Sequence, residues 1–131
     1  MKIFLRDDIP AIDLPGRRIW KAIGKESSFE SRKITYGFAH FSAAIGPAEP
    51  HHHAEEICYV LDAGNAWVRY GPSQNQLGDL QPLQPGTTMH IPEMEWHQFV
   101  CEEGGFLDII FIYGQVDNIR PEENNKQPDG K

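Results

Sequence analysis

The sequence is poor in cysteine, in positive charge and in long apolar runs, and each shortage excludes a class of protein. Only Cys58 and Cys101 occur among the 131 residues, which excludes a disulfide framework and favours a reducing, cytoplasmic setting. Lys and Arg number 12 against 19 Asp and Glu, a net charge of −7, and this excludes a basic surface for nucleic acid or anionic lipid. The most apolar stretch, residues 106–113, is far shorter than the roughly 20 residues of a membrane helix. We therefore expect a small-molecule partner and neither nucleic acid nor membrane.

Two frequent enzyme motifs are also missing. The sequence has neither a glycine-rich phosphate loop nor the turn that presents the nucleophile of serine hydrolases, so these two chemistries are set aside. Its length argues for one domain, and its 12 Gly and 10 Pro are scattered, as in proteins with many turns between short elements. We expect an all-β domain over residues 1–120 and a flexible polar tail over 121–131.

Alternation of side-chain type predicts the strands. Tyr36, Phe38 and His40 fall on one face of an extended segment that begins at Ile34. The other predicted elements are an edge strand at 18–23, a strand at 56–61, a hairpin turn at 62–65 with its return strand at 66–70, strand pieces within 80–91, and strands at 97–101 and 106–113 that turn at 104–105. Short strands at this spacing favour a sandwich or a closed barrel.

A run of three histidines precedes one of these strands. In an extended segment, His51 and His53 lie on one side, roughly 6.6 Å apart, and His52 faces away. Glu56 opens the inward face of the next strand, which it shares with Cys58. A buried carboxylate needs a partner, and a divalent cation is one such partner. The alternative is a solvated turn whose surface ion pairs are worth about 0–1 kcal/mol each.

The chain resembles the cupin superfamily of small β-barrels over approximately residues 34–113. Its first motif runs from a Gly through His-x-His and Glu to a second Gly, and its second motif is Pro-Gly, an apolar residue before Pro, and then His. The residues that match are Gly46, His51, His53, Glu56, Gly64, Gly86, Ile91, Pro92 and His97. Only two residues separate His53 from Glu56, where cupins usually have three or four, and this leaves His52 as an alternative ligand.

The resemblance implies a double-stranded β-helix, or jelly-roll barrel, in which His51, His53, Glu56 and His97 bind one divalent metal. The donor set suits Zn, Fe, Mn, Ni or Cu without selecting among them. A divalent ion with one carboxylate keeps a local charge of +1, which favours an anionic or chelating oxygen ligand. The resemblance also implies a homodimer and a metal-dependent dioxygenase, isomerase or lyase acting on a small oxygenated metabolite. The alternative is a non-catalytic module that binds a sugar or an organic acid.

Six further residues are candidates for the substrate pocket, and no catalytic residue is assigned. The strand faces predict that the two thiols and the aromatic side chain between them in sequence lie beside the metal, although buried Cys is more often a small core filler. The candidates are Tyr36, His40, Cys58, Trp96, Phe99 and Cys101.

Overall fold

The computed structural model describes residues 1–114, and these form one antiparallel sheet with a short 3-10 helix at Arg6–Asp8. The strands are β1 Ala11–Leu14, β2 Arg17–Ile23, β3 Thr35–Ser42, β4 Glu56–Gly71, β5 Gln81–Pro82, β6 Thr88–Ile91 and β7 Trp96–Tyr113. Their order in the sheet is β1-β2-β3-β7-β4-β5, with β6 also paired to β4. The all-β prediction is confirmed. The predicted tail at 121–131 lies outside the described residues.

The sequence alternation decides which side chains form the core. On β4, Glu56, Cys58 and Val60 are at most 4% exposed, whereas their neighbours Ile57 and Tyr59 are more than 40% exposed. Because β7 pairs with β3 on one side and with β4 on the other, inward residues of all three strands meet. Burying each large apolar side chain contributes roughly 1.5–3 kcal/mol.

Two predicted turns are wrong because β4 and β7 pass through them without reversing. Instead of a hairpin at 62–65, β4 continues with register shifts between Val60 and Asp62 and between Gly64 and Ala66. The predicted turn at 104–105 lies inside β7, where residues 102–105 are the extra residues of a bulge opposite β4. A Cβ on Gly105 would lie 2.5 Å from the Asn65 carbonyl oxygen. Glycine at this position permits the backbones of β4 and β7 to approach closely at the bulge.

The predicted strand at 18–23 is confirmed within β2, but it is not at the edge. It pairs with β3 on one side, and β1 covers its other side. The sequence gives little warning of β1, which has only four residues. In residues 1–114 we find no helix whose length and apolar character would allow it to cross a membrane.

Candidate metal centre

Backbone pairing joins the histidine-rich segment to the start of β7. The His51 N–H donates to the His97 carbonyl, and the His97 N–H donates to the His51 carbonyl, both at 2.8 Å. The Met94 N–H donates to the His53 carbonyl at 2.7 Å. The turn that precedes β7 is thus tied to the same segment, and histidines 44 or more positions apart in sequence become neighbours.

Three predicted ligands meet in the interior. His53, Glu56 and His97 are only 2%, 4% and 4% exposed, and one ligand atom from each lies within 4.8 Å of the other two. His53 Nε2 is 3.1 Å from Glu56 Oε1. The rings of His53 and His97 stand nearly perpendicular, with centroids 5.0 Å apart.

Backbone carbonyls fix which ring nitrogen carries hydrogen. His53 Nδ1 lies 2.9 Å from the Ala54 carbonyl and His97 Nδ1 lies 3.1 Å from the Glu95 carbonyl. A carbonyl only accepts, so each Nδ1 donates, and Nε2 is the nitrogen of each ring that is left to bind a metal. His53 Nε2 and Glu56 Oε1 face each other in a buried site, a position from which both can bind one cation.

This donor set fits a divalent metal. Ligating histidines typically donate their other N–H to a carbonyl or carboxylate, which orients the ring, and both rings here do so. Two imidazoles with one carboxylate match the ligand types of zinc and other first-row metals.

The other two histidines of the run have different surroundings. His51 lines the same cavity but is outside the group of three whose ligand atoms converge within 4.8 Å. The ring of His52 stacks on Trp96, with centroids 3.9 Å apart and an interplanar angle of 20°. Trp96, a pocket candidate, therefore packs on His52 and does not line the cavity. His52, the alternative ligand, lies outside the group of three converging residues.

Known proteins were compared with the chain by sequence and by structure. No protein-family profile and no curated protein sequence matches it. The polyketide cyclase RemF from Streptomyces resistomycificus is 23% identical with a TM-score of 0.68, over 98% of this chain and 95% of that chain. KdgF from Halomonas sp. is 20% identical with a TM-score of 0.64, over 89% and 96%. Fe(II)-HppE with an alternative substrate is 15% identical with a TM-score of 0.61, over 86% and 60%.

The chain has the cupin fold. This confirms the resemblance that the two sequence motifs predicted, and with it the jelly-roll barrel. Since all three identities are below 25%, the likeness establishes the fold, and the chemistry has to be argued from the site.

The converging ligands line a small cavity inside the cupin barrel. Its volume is about 20 Å³, which is room for roughly one water-sized group. Polar and apolar side chains share its wall, and of the six pocket candidates only Phe99 belongs to it. The lining residues are Arg17, Ile19, Ala39, Phe41, His51, His53, Glu56, His97, Phe99, Ile109 and Phe111.

Tyr36 and His40 lie on the opposite face of β3 from this cavity. The inward face of β3 carries Ala39 and Phe41, which line the cavity. The Tyr36 ring packs edge-on against Phe38, 5.3 Å between centroids, and His40 Nδ1 lies 2.9 Å from Asp108 Oδ1. The structure therefore places these two candidates outside the cavity, since alternation alone gives two faces without saying which is inward.

A second, larger pocket of about 210 Å³ adjoins the cavity. Phe41 and Phe99 line both spaces, and their rings are 5.0 Å apart between centroids. Cys101 lines this outer pocket, where burial raises the pKa of its thiol. The other thiol, Cys58, is fully buried on the face of β4 that it shares with Glu56, and it lines neither space.

Sequence reasoning missed Arg17, which lines the metal cavity and is 8% exposed. Its Nη1 donates to the Pro15 carbonyl at 3.2 Å. The available signal was its position two residues before Ile19, since residues i and i+2 of a strand share a face. An arginine that shares a strand face with a core residue is thus a sequence signal for a buried, functional side chain.

Proposed function

We propose that this cupin binds one divalent metal ion through His53, Glu56 and His97, with His51 as a fourth ligand. The observation that carries the proposal is the convergence of one ligand atom each from three buried side chains, His53, Glu56 and His97, within 4.8 Å of one another. One cation can bind all three groups.

A metal bound here supplies a Lewis acid that stabilises negative charge on an oxygen of a ligand. The protein's contribution is to hold the two imidazoles through their Nδ1 hydrogen bonds and to surround the site with apolar side chains. Phe111 and Ile109 of β7 are 3% and 2% exposed and form part of that wall. Excluding water in this way strengthens charge interactions inside the cavity.

We further propose that the chain is a metal-dependent enzyme acting on a small oxygenated metabolite, with dioxygenase, isomerase or lyase chemistry. Two structural relatives support this assignment: RemF is a polyketide cyclase, and HppE holds Fe(II) beside a substrate. The small cavity with its adjoining pocket supports a small ligand.

A second candidate is a non-catalytic module that binds a sugar or an organic acid. It is favoured by the cavity lining, in which Glu56 is the one carboxylate among the described residues. Glu56 is itself assigned to the metal, so the cavity offers no second carboxylate as general base.

Metal analysis of the purified, untagged chain tests the metal proposal. We expect about one divalent ion per chain, detected by plasma mass spectrometry after dialysis, and its loss in His97→Ala. The matched control is His90→Ala, because His90 is exposed and pairs with Glu55 at 2.6 Å outside the cavity. A wild-type chain that retains no metal after incubation with Zn, Fe, Mn, Ni and Cu salts contradicts the proposal.

Two measurements on the metal-loaded chain separate the enzyme from the binding module. Consumption of a compound from a panel of hydroxy acids, keto acids and sugars, abolished in His97→Ala, supports the enzyme. A ligand-dependent rise in Tm with no consumption supports the binding module.

The predicted homodimer also remains a proposal. It is supported by apolar side chains on the outer face of the sheet, since Ile57, Tyr59 and Ile112 are 37–46% exposed and are neighbours across β4 and β7. Light scattering tests it: a mass near twice 14.9 kDa supports the dimer, and a mass near 14.9 kDa contradicts it.

A further inference from the structure

A short segment at residues 1–5 carries apolar side chains that the described part of the chain leaves uncovered. Ile3 and Leu5 are 89% and 71% exposed. Phe4, between them in sequence, packs on Phe29 with ring centroids 4.3 Å apart. Alternate residues of this segment therefore either hold it on the protein or face solvent, and those that face solvent form an apolar ridge.

The Arg6 side chain fixes the position of this ridge on the outer face of the sheet. Its guanidinium lies over the Trp20 ring of β2 at 4.1 Å and over the Phe38 ring of β3 at 4.8 Å. Its Nη2 is also 3.5 Å from Asp108 Oδ1 of β7. Cation–π contacts and an ion pair thus hold the segment beside β3 and β7, on the side of the sheet opposite the metal cavity.

A flat apolar patch lies next to the ridge on the same outer face. It consists of Ile57 and Tyr59 of β4 and Ile112 of β7, which are 37–46% exposed. Tyr59 and Phe38 both pair with Ile110, one from each side of β7. Because neighbouring strands lie about 4.8 Å apart, only one or two strand spacings separate the anchor of the ridge from the patch.

The ridge and the patch together are large enough for a dimer interface. At about 200 Å² for a fully exposed large residue, their exposed fractions amount to roughly 800 Å², which is about what each partner contributes to an interface of standard size. None of these side chains is charged, and monomeric proteins rarely expose so large an apolar surface. The residues counted are Met1, Ile3, Leu5, Ile57, Tyr59 and Ile112.

We infer that a second copy of this chain covers both surfaces, with the ridge of each copy packed on the patch of the other. A two-fold axis between two adjacent surfaces exchanges them, so a single contact made twice closes the dimer. A contact between the two patches alone leaves both ridges in water. This inference rests on the proposed homodimer and adds the segment that holds the two copies together.

Light scattering on substituted chains measures the contribution of the ridge. The samples are wild type, the double variant Ile3→Ser with Leu5→Ser, the patch variant Tyr59→Ser, and the control Leu80→Ser, whose residue is 43% exposed just before β5. We expect the Kd of the dimer to rise at least about 100-fold in the double variant and in the patch variant, since each loses apolar contacts twice per dimer. In the control it should change less than about twofold.

Chemical cross-linking tests which surfaces meet. Chains with Ile3→Cys and chains with Tyr59→Cys, each also carrying Cys101→Ser, are co-expressed, treated with a short bismaleimide and weighed by mass spectrometry. The native Cys58 is fully buried and is kept. We expect the main cross-linked product to contain one chain of each kind. If the double ridge variant does not fold, this product decides the inference.

The inference is overturned if the double ridge variant stays dimeric while Tyr59→Ser dissociates. It is also overturned if two Tyr59→Cys chains form the main cross-linked product, because the patches then face each other. In both cases the proposed homodimer stands. A monomeric wild type contradicts the homodimer itself and this inference with it, and the zinc content of the same sample judges the metal proposal separately.

Discussion

Three histidine–carboxylate pairs within residues 1–114 share the same chemistry but lie in three different environments. The pair His53–Glu56 is 2% and 4% exposed at 3.1 Å. The pair His40–Asp108 is 31% and 23% exposed at 2.9 Å, and the pair His90–Glu55 is 59% and 67% exposed at 2.6 Å. The shortest contact is the most exposed one, so distance alone does not identify a site.

What distinguishes the buried pair is its low exposure to solvent and the way its imidazole ring is held. Water solvates His90 and Glu55 whether or not they touch, and exposed pairs are worth about 0–1 kcal/mol. Water hardly reaches His53 and Glu56, and the Ala54 carbonyl already holds the His53 Nδ1 hydrogen. Of the three pairs, only the buried one belongs to a group of converging ligand atoms that could hold a metal ion.

The largest expected effect comes from removing the carboxylate of the buried pair. Glu56→Gln deletes the one anionic ligand, and we expect at least a 100-fold loss of zinc affinity, since even outer partners of metal ligands are worth about 10–100-fold. Competition with a chromogenic chelator measures the affinity. Glu55→Gln is the matched control on the preceding residue, 67% exposed at its side chain, and should leave zinc affinity within about twofold. Equal effects of the two substitutions contradict the assignment of Glu56.

The next effect is the gain in stability on metal binding. At a free zinc concentration 100 times the Kd, binding to the folded state alone adds about 2.7 kcal/mol, which raises Tm by roughly 5–15 °C for a chain of this size. Scanning calorimetry with and without zinc measures the rise. His53→Ala should abolish the rise, whereas His40→Ala should keep it because His40 lies on the other face of β3. A rise that persists in His53→Ala places the metal elsewhere.

The sequence predicted the fold and the candidate ligands His53, Glu56 and His97, but not the two more exposed pairs. Alternation placed Glu56 and Cys58 on the inward face of β4, and the two motifs brought His97 to the histidine run. The first inference needs only the period of a strand, whereas the second is what the resemblance to cupins implies.

The remaining features depend on contacts between distant strands. The Gly104–Gly105 pair predicts a turn equally well as a bulge, and its close approach to Asn65 decides between them. His40 shares a strand with Ala39, and only the packing of β3 against β7 shows which of the two faces inward. Arg17 was missed because charged residues are expected outside, and this expectation outweighed the one local signal, its position on the same strand face as Ile19.

The intermediate pair should show an intermediate effect on stability. Asp108 Oδ1 lies 2.9 Å from His40 and 3.5 Å from Arg6, and the Arg6 guanidinium lies over the Trp20 ring at 4.1 Å. Asp108→Asn keeps the shape and removes the charge, so we expect a loss of about 1 kcal/mol in the free energy of unfolding. Urea denaturation measures it, with Asp79→Asn in an exposed loop as the control. An unchanged zinc content in Asp108→Asn would confirm that this cluster is independent of the cavity.

The exposed pair should show the smallest effect, and salt should reduce it further. In His90→Ala the Glu55 carboxylate returns to water at little cost, so the free energy of unfolding should fall by less than about 1 kcal/mol. Because screening weakens exposed ion pairs, the difference from wild type should shrink between 0.05 and about 1 M NaCl. Urea denaturation at both salt concentrations measures it. A loss of several kcal/mol that persists at high salt would mean that solvent exposure does not determine how much each pair contributes to the free energy of unfolding. The argument that burial singles out His53 and Glu56 would then fail.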